Sequence, residues 1–217
     1  MKEKYYTTEN IHEVSEKILD ETQPLCGKYP FSIRKNEVAL IIVDMQKYFL
    51  DRKAHAYIPS GPAIIKNINR LQHLCLENHI PVYLTKHINN KANAGLMNLR
   101  WDEIITEDHP FVDLHEAILI QGCKIMKKTQ YDAFYGTDLE KQLKTKGVNQ
   151  VIITGVMTNL CCETTVRSAF IRGFEPVFPL DATAAYNYNF HLSTMINLSY
   201  GFVKPILTRQ ILDEISK

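Results

Sequence analysis

Hydrophobic positions along the chain follow two rhythms: short continuous apolar runs, and longer stretches with an apolar residue every three or four positions. The runs read as buried strands and the stretches as amphipathic helices. The clearest run is Val38-Ala39-Leu40-Ile41-Ile42-Val43, which ends in Asp44 and is of the kind found in the middle of a parallel sheet. Residues 81–85, the neighbourhood of 123–127, and residues 150–154, 175–180 and 203–207 repeat the signal. Pro81 is acceptable as the first residue of its strand, whereas Pro176 and Pro179 predict an edge or irregular position for theirs.

Helical spacing begins with Ile11, Val14, Ile18 and Leu19, where Thr8 or Asn10 is available as a cap. It recurs in Ile64, Ile65, Ile68, Leu71, Leu74 and Cys75 after Gly61-Pro62. Thr137-Asp138-Leu139-Glu140 reads as a capping box, opening a helix that Gly147 ends. Further helices are predicted from the cysteine pair to Gly173, around 190–200 and from Thr208. Pro24, Gly27 and Pro30 break the first helix off, so residues 1–36 read as an N-terminal arm with one helix and residues 37–217 as one domain. Strand and helix then alternate, which predicts a three-layer α/β/α fold around a central, mostly parallel six-stranded sheet. Residues 86–110 carry little periodicity, and a loop that long is usually functional or mobile.

Composition narrows the function. The chain has 217 residues, 45% of them hydrophobic, and a net charge of +1. That is enough to bury a full core and leaves no broad basic field for nucleic acid or anionic lipid. No apolar stretch approaches the ~18 residues of a membrane span, and Met1-Lys2-Glu3-Lys4-Tyr5-Tyr6 lacks the apolar core of a signal peptide, so a cytoplasmic location is expected. Five cysteines, an odd number without a C-x-x-C pair, suggest neither a disulfide framework nor a zinc site.

Three reactive side chains, Asp44, Lys128 and Cys161, fall at or just past the carboxyl ends of three predicted strands. In a parallel sheet those ends share one edge, where ligands bind. Singly, each has a plain structural explanation: a cap for Asp44, a solvated charge for Lys128, packing for Cys161. Together they form a coherent set, because a thiolate can attack a carbonyl, a carboxylate can take the thiol proton and later activate water, and an ammonium can steady both. Cys161 and Cys162 also stand at or near a predicted helix N-terminus, which favours a thiolate.

The motifs Asp44-Met45-Gln46, Lys128-Thr129-Gln130-Tyr131-Asp132-Ala133-Phe134 followed by Gly136-Thr137-Asp138-Leu139, and Thr154-Gly155-Val156-Met157-Thr158-Asn159-Leu160-Cys161 with Thr165-x-Arg167-x-Ala169 resemble the isochorismatase-like cysteine hydrolases. This superfamily includes nicotinamidases, N-carbamoylsarcosine and ureidoacrylate amidohydrolases, maleamate amidases and true isochorismatases. The resemblance covers roughly residues 36–210. It implies Cys161 as nucleophile, Asp44 as general base and Lys128 as third member of the site. It also implies a cis peptide at Val156-Met157 and an oxyanion hole from the Met157 and Cys161 N–H groups. Cys162 is expected on the core side of its helix, with Glu163 and Arg167 pairing to fix that helix.

Some nicotinamidases hold a metal with an Asp-x-His pair after the first strand. Here the loop reads Asp51-Arg52-Lys53-Ala54-His55, which lacks that spacing, so no metal and no cofactor is expected. True isochorismatases carry glycine at the nucleophile position, whereas this chain has Cys161. The expected activity is therefore hydrolysis of a C–N bond in a small amide or ureido compound. An enol-ether hydrolase of the isochorismatase type and an idle binding or scaffold member remain the alternatives. Gln46, Phe49, His87, Trp101 and Tyr131 are the expected substrate contacts. Family members commonly form dimers or tetramers, and Phe31, Tyr48, Phe111 and Phe202 are available for a homo-oligomeric contact.

Overall fold

The two most apolar runs become neighbouring strands at the centre of the sheet. β1 (Val38–Val43) and β4 (Gln150–Val156) pair in parallel, from Val38 opposite Gln150 to Val43 opposite Gly155. Every residue of both strands is buried, so both faces of the sheet are covered, as the runs without polar alternation require. The computed structural model describes residues 1–27 and 32–217; Pro30 and Phe31 lie outside the described residues.

β2 (Val82–His87) and β3 (Lys124–Lys128) extend the sheet beyond β1, while β5 (Glu175–Pro179) and β7 (Pro205–Ile206) extend it beyond β4. The order is β3-β2-β1-β4-β5-β7, with the two-residue β6 (Thr183–Ala184) also on β4. All strand pairings are parallel. Six of these seven strands are the expected ones. β6 has no apolar run of its own and exists because the chain after β5 bends back alongside Gly155 and Val156.

β5 is not the edge strand that its prolines suggest. The Glu175 N–H bonds to Asn149 in the direction of β4, so the alternation along a strand turns the Pro176 nitrogen the other way. There β7 pairs only with Phe178 and Pro179, and no ladder bond is lost.

Helices cover both faces. α1 (Ile11–Thr22) buries Ile18 and Leu19 and packs on α7 (Tyr188–Gly201). α2 (Lys47–Leu50) is one turn after Asp44, and α3 (Gly61–Glu77) crosses β1, β2 and β4. α4 (Met97–Arg100) sits within the long loop after β2, and α5 (Leu139–Thr145) follows β3. α6 (Glu163–Ile171) lies on β4 and β5, and α8 (Thr208–Ser216) packs on α3. Two expected caps differ. The Asn10 side chain accepts from Thr7 rather than from α1. The capping box at 137–140 does not form, because the Thr137 hydroxyl donates to the Ala133 carbonyl and Glu140 pairs with Lys144 and Arg172. No helix among the described residues is long and apolar enough to cross a membrane.

The contact of β1 with β4 is unusually close at its carboxyl end. Gly155 has φ +107°, and a Cβ there would stand 2.1 Å from the Val43 carbonyl oxygen. One residue further along β1, Asp44 takes φ +51°, a left-handed turn that carries its side chain off the strand end.

Candidate active site

Strand order decides what meets at the carboxyl edge. β1 releases Asp44, β3 ends on Lys128, and β4 runs into the π-helical turn Thr158–Cys162 that precedes α6. Because β2 lies between β1 and β3, its own end is placed among them, with His87 in register with Lys128.

The Lys128 ammonium is the hub. It lies 2.7 Å from Asp44 Oδ2, 2.9 Å from the Gln130 carbonyl oxygen, 3.2 Å from His87 Nδ1 and 3.3 Å from Cys161 Sγ. Three protons serve four acceptors, which holds the ammonium near their centre. Asp44 is oriented from its other oxygen. The Thr85 hydroxyl accepts from the Asp44 N–H at 3.1 Å and donates to Oδ1 at 2.6 Å. Oδ2 receives the Lys128 ion pair at 2.7 Å, and the Cys161 thiol lies beside the same carboxylate.

Asp44 and Lys128 have side chains with no solvent exposure. Burial alone would lower the Lys128 pKa, but the Asp44 carboxylate and Cys161 beside it leave it above the ordinary lysine value. For Cys161 burial wins. It pushes the thiol up to about 12, Asp44 adds to the rise, and Lys128 opposes it. The thiolate-favouring helix end expected from sequence is therefore outweighed at Cys161 by burial. Cys162 is fully buried, its thiol pointing to the Thr154 carbonyl, and Glu163 pairs with Arg167 at 2.7 Å.

His87 is neutral. Burial, reinforced by Lys128, pushes it down to about 4, and Nε2 lies 2.7 Å from Asn89 Oδ1, so Nδ1 faces the ammonium as an acceptor. His191, fully buried on α7, is pushed down to about 3 by burial. Both pKa values are depressed from 6.5, so stability is fully present above about pH 6.5 and is lost as pH falls and the unfolded chain alone takes up protons. Unfolding free energies from urea titrations between pH 7 and 4.5 should fall, with a limiting slope of about 1.4 kcal/mol per pH unit for each histidine. A flat profile would contradict two buried neutral imidazoles.

Cys161 opens into a cavity of about 380 Å³. Phe49, His87, Trp101 and Tyr131 line it together with Met157, and the Val156-Met157 peptide is cis. The Trp101 ring N–H donates to the Tyr131 hydroxyl at 2.8 Å, joining two walls. Gln46 is elsewhere. Its amide donates to the His87 and Val112 carbonyls and accepts from the His87 N–H, so it fastens the end of β2 to the loop before β3. Residues 97–105 form much of the rim, which gives the aperiodic 86–110 segment its place.

Sequence reasoning missed Thr85, because its bond to Asp44 depends on strand register. It also missed Lys2 of the N-terminal arm and Tyr186 just before α7, which both line the cavity. Among the described residues, one group of three or more potential metal ligands converges: Asp44, His87 and Cys161, with donor atoms within 4.8 Å of one another. The Lys128 ammonium contacts all three, so a metal would have to displace it. Neither Asp51 nor His55 belongs to the group.

A family model for the isochorismatase domain matches residues 38–210. Nicotinamidase 3 of Arabidopsis thaliana is 35% identical over 169 residues, covering 76% of this chain and 81% of that protein. Enterobactin synthase component B of Escherichia coli K12 is 29% identical over 196 residues, covering 86% of this chain and 66% of that one. Among solved structures, a cysteine hydrolase from Pseudomonas syringae pv. phaseolicola 1448A matches with a TM-score of 0.82 at 27% identity, covering 87% of this chain and 98% of that one.

Proposed function

Because the chain belongs to the isochorismatase family of hydrolases, we propose that it cleaves the C–N bond of a small amide or ureido compound through a thioester at Cys161. The observation that carries this reading is the contact of Cys161 Sγ with Lys128, 3.3 Å away, whose ammonium also pairs with Asp44 at 2.7 Å. A cysteine at this position serves acyl transfer and has no part in protonating an enol ether.

For a primary amide, Asp44 takes the thiol proton as sulfur attacks the carbonyl carbon, so that no free thiolate has to exist in the buried site. The oxyanion forms against the Met157 and Cys161 N–H groups. Asp44 then returns the proton to the leaving nitrogen, the C–N bond breaks and ammonia departs. Water enters, Asp44 takes one of its protons and the hydroxyl adds to the thioester. The C–S bond breaks, sulfur recovers the proton from Asp44, and the free acid leaves. Lys128 stays protonated and keeps the carboxylate aimed at sulfur.

Intact-protein mass spectrometry after rapid mixing with a panel of primary amides and ureido acids tests this, with ammonia assayed in parallel. The expected result is an acyl adduct and ammonia with the native chain and neither with Cys161→Ala. Isochorismate turnover that survives Cys161→Ala would replace this reading with enol-ether hydrolysis. Failure of iodoacetamide to label Cys161 would favour a binding protein without catalysis.

A further inference from the structure

The proposed chemistry leaves one buried imidazole unused. His191 Nδ1 lies 3.0 Å from the Thr158 hydroxyl, and Nε2 lies 3.2 Å from the Tyr6 hydroxyl. Tyr6 in turn accepts from the Ser15 hydroxyl at 3.0 Å on α1. His191, Thr158 and Tyr6 have no solvent exposure, so none of these polar groups can exchange its partner for bulk water without opening the fold.

The far end of the chain of bonds matters most. Thr158 directly follows Met157 and begins the turn that carries Cys161. The turn is thus held from outside the sheet by a helix, α7, and by residues of the N-terminal arm. The arm itself is firmly placed. The Glu3 N–H bonds to the Tyr186 carbonyl, the Tyr6 N–H to the Ser60 hydroxyl, and the Tyr5 hydroxyl accepts from the Ala185 N–H.

We propose that His191 is a positioning residue: through Thr158 it sets the orientation of the Met157–Cys161 turn, and through Tyr6 it makes the N-terminal arm part of the active site. This rests on the reading of Cys161 as nucleophile. His191 reaches neither substrate nor sulfur, and it acts by fixing which way the N–H groups and the thiol of the turn face. Remaining neutral, it holds the turn equally well at acid and neutral pH until the fold itself opens.

Near-isosteric variants test it. Thr158→Val removes the hydroxyl at the turn, and Tyr6→Phe removes it at the arm. Thr208→Val serves as a control, since it deletes an equally buried hydroxyl that bonds to Asp181 and to none of Tyr6, His191 and Thr158. Each is assayed for kcat and KM on the amide turned over fastest, for the rate of Cys161 labelling by iodoacetamide, and for melting temperature. Thr158→Val and Tyr6→Phe should each lower kcat and the labelling rate about fivefold, with KM within about twofold. Their effects in the double variant should be less than multiplicative, as for groups on one path. His191→Asn, which can still reach Thr158, should retain more kcat than His191→Leu. If melting temperatures fall as in Thr208→Val while kcat and labelling stay native, the network is structural only and the proposal fails. If the native chain neither turns over an amide nor labels at Cys161, the nucleophile assignment fails first, and the positioning role falls with it.

Discussion

Lys128→Met is expected to lower amide turnover roughly a thousandfold and to destabilise the fold by about 3–5 kcal/mol. The second effect follows from what is left behind. Asp44 has no solvent exposure and its ion pair with Lys128 is the contact of Oδ2, so the variant contains either an uncompensated buried carboxylate or a protonated acid. In both forms the proposed base is spoiled: the first is too costly to keep, and the second already carries the proton it would have to take. Urea denaturation together with kcat separates the two losses. Adding Asp44→Leu to Lys128→Met should recover most of the stability and none of the activity, because a buried pair exchanged for apolar groups is often neutral. A Lys128→Met protein of native stability would show that the pair is not buried as described.

Gly155→Ala should cost more than about 4 kcal/mol, enough to leave much of the protein insoluble. At φ +107° any side chain is strained, and here the added methyl would also meet backbone: 2.1 Å to the Val43 carbonyl oxygen and 2.7 Å to its nitrogen. Neither is the flexible end of a side chain, so relief requires β1 and β4 to part. Gly173→Ala is the comparison. It has φ +83° and nothing within 4 Å of the added Cβ, so it carries only the left-handed penalty of about 1–2 kcal/mol. Denaturation midpoints for the pair should differ by more than that penalty. Equal midpoints would mean that the strands separate freely at this point.

The fold was largely legible because two-sided burial leaves a direct imprint. Strands without polar alternation, such as residues 38–43 and 150–154, have no other place than the middle of a covered parallel sheet. The convergence of Asp44, Lys128 and Cys161 was legible for a related reason, since Asp44 and Cys161 come after such runs and Lys128 ends a shorter, half-exposed strand at the edge that parallel strands share. Thr85 was not. Its role comes from standing on β2 beside the end of β1, a fact of pairing rather than of composition. Tyr6 and His191 are 185 positions apart, and the docking of the N-terminal arm beside α7 brings them together. The upward pull of burial on the Cys161 thiol also escaped, because the local signal of a helix end says nothing about how deeply the thiol is sunk. β5 misled in the opposite direction, its prolines pointing to an edge when the neighbouring strand was merely short.

The order β3-β2-β1-β4 has an evolutionary corollary. The strand ends that carry Asp44 and Lys128 are set by the sheet, whose strands lie about 4.8 Å apart, and Cys161 stands on the short turn Thr158–Cys162 just beyond β4. The rim at 97–105 hangs from the connection between β2 and β3, pinned where the Asn89 N–H meets the Ile105 carbonyl. Insertions, deletions and wholesale replacement inside that connection can remodel the chamber while the reactive edge keeps its dimensions. Such an architecture lets a lineage diversify its diet without reinventing its teeth.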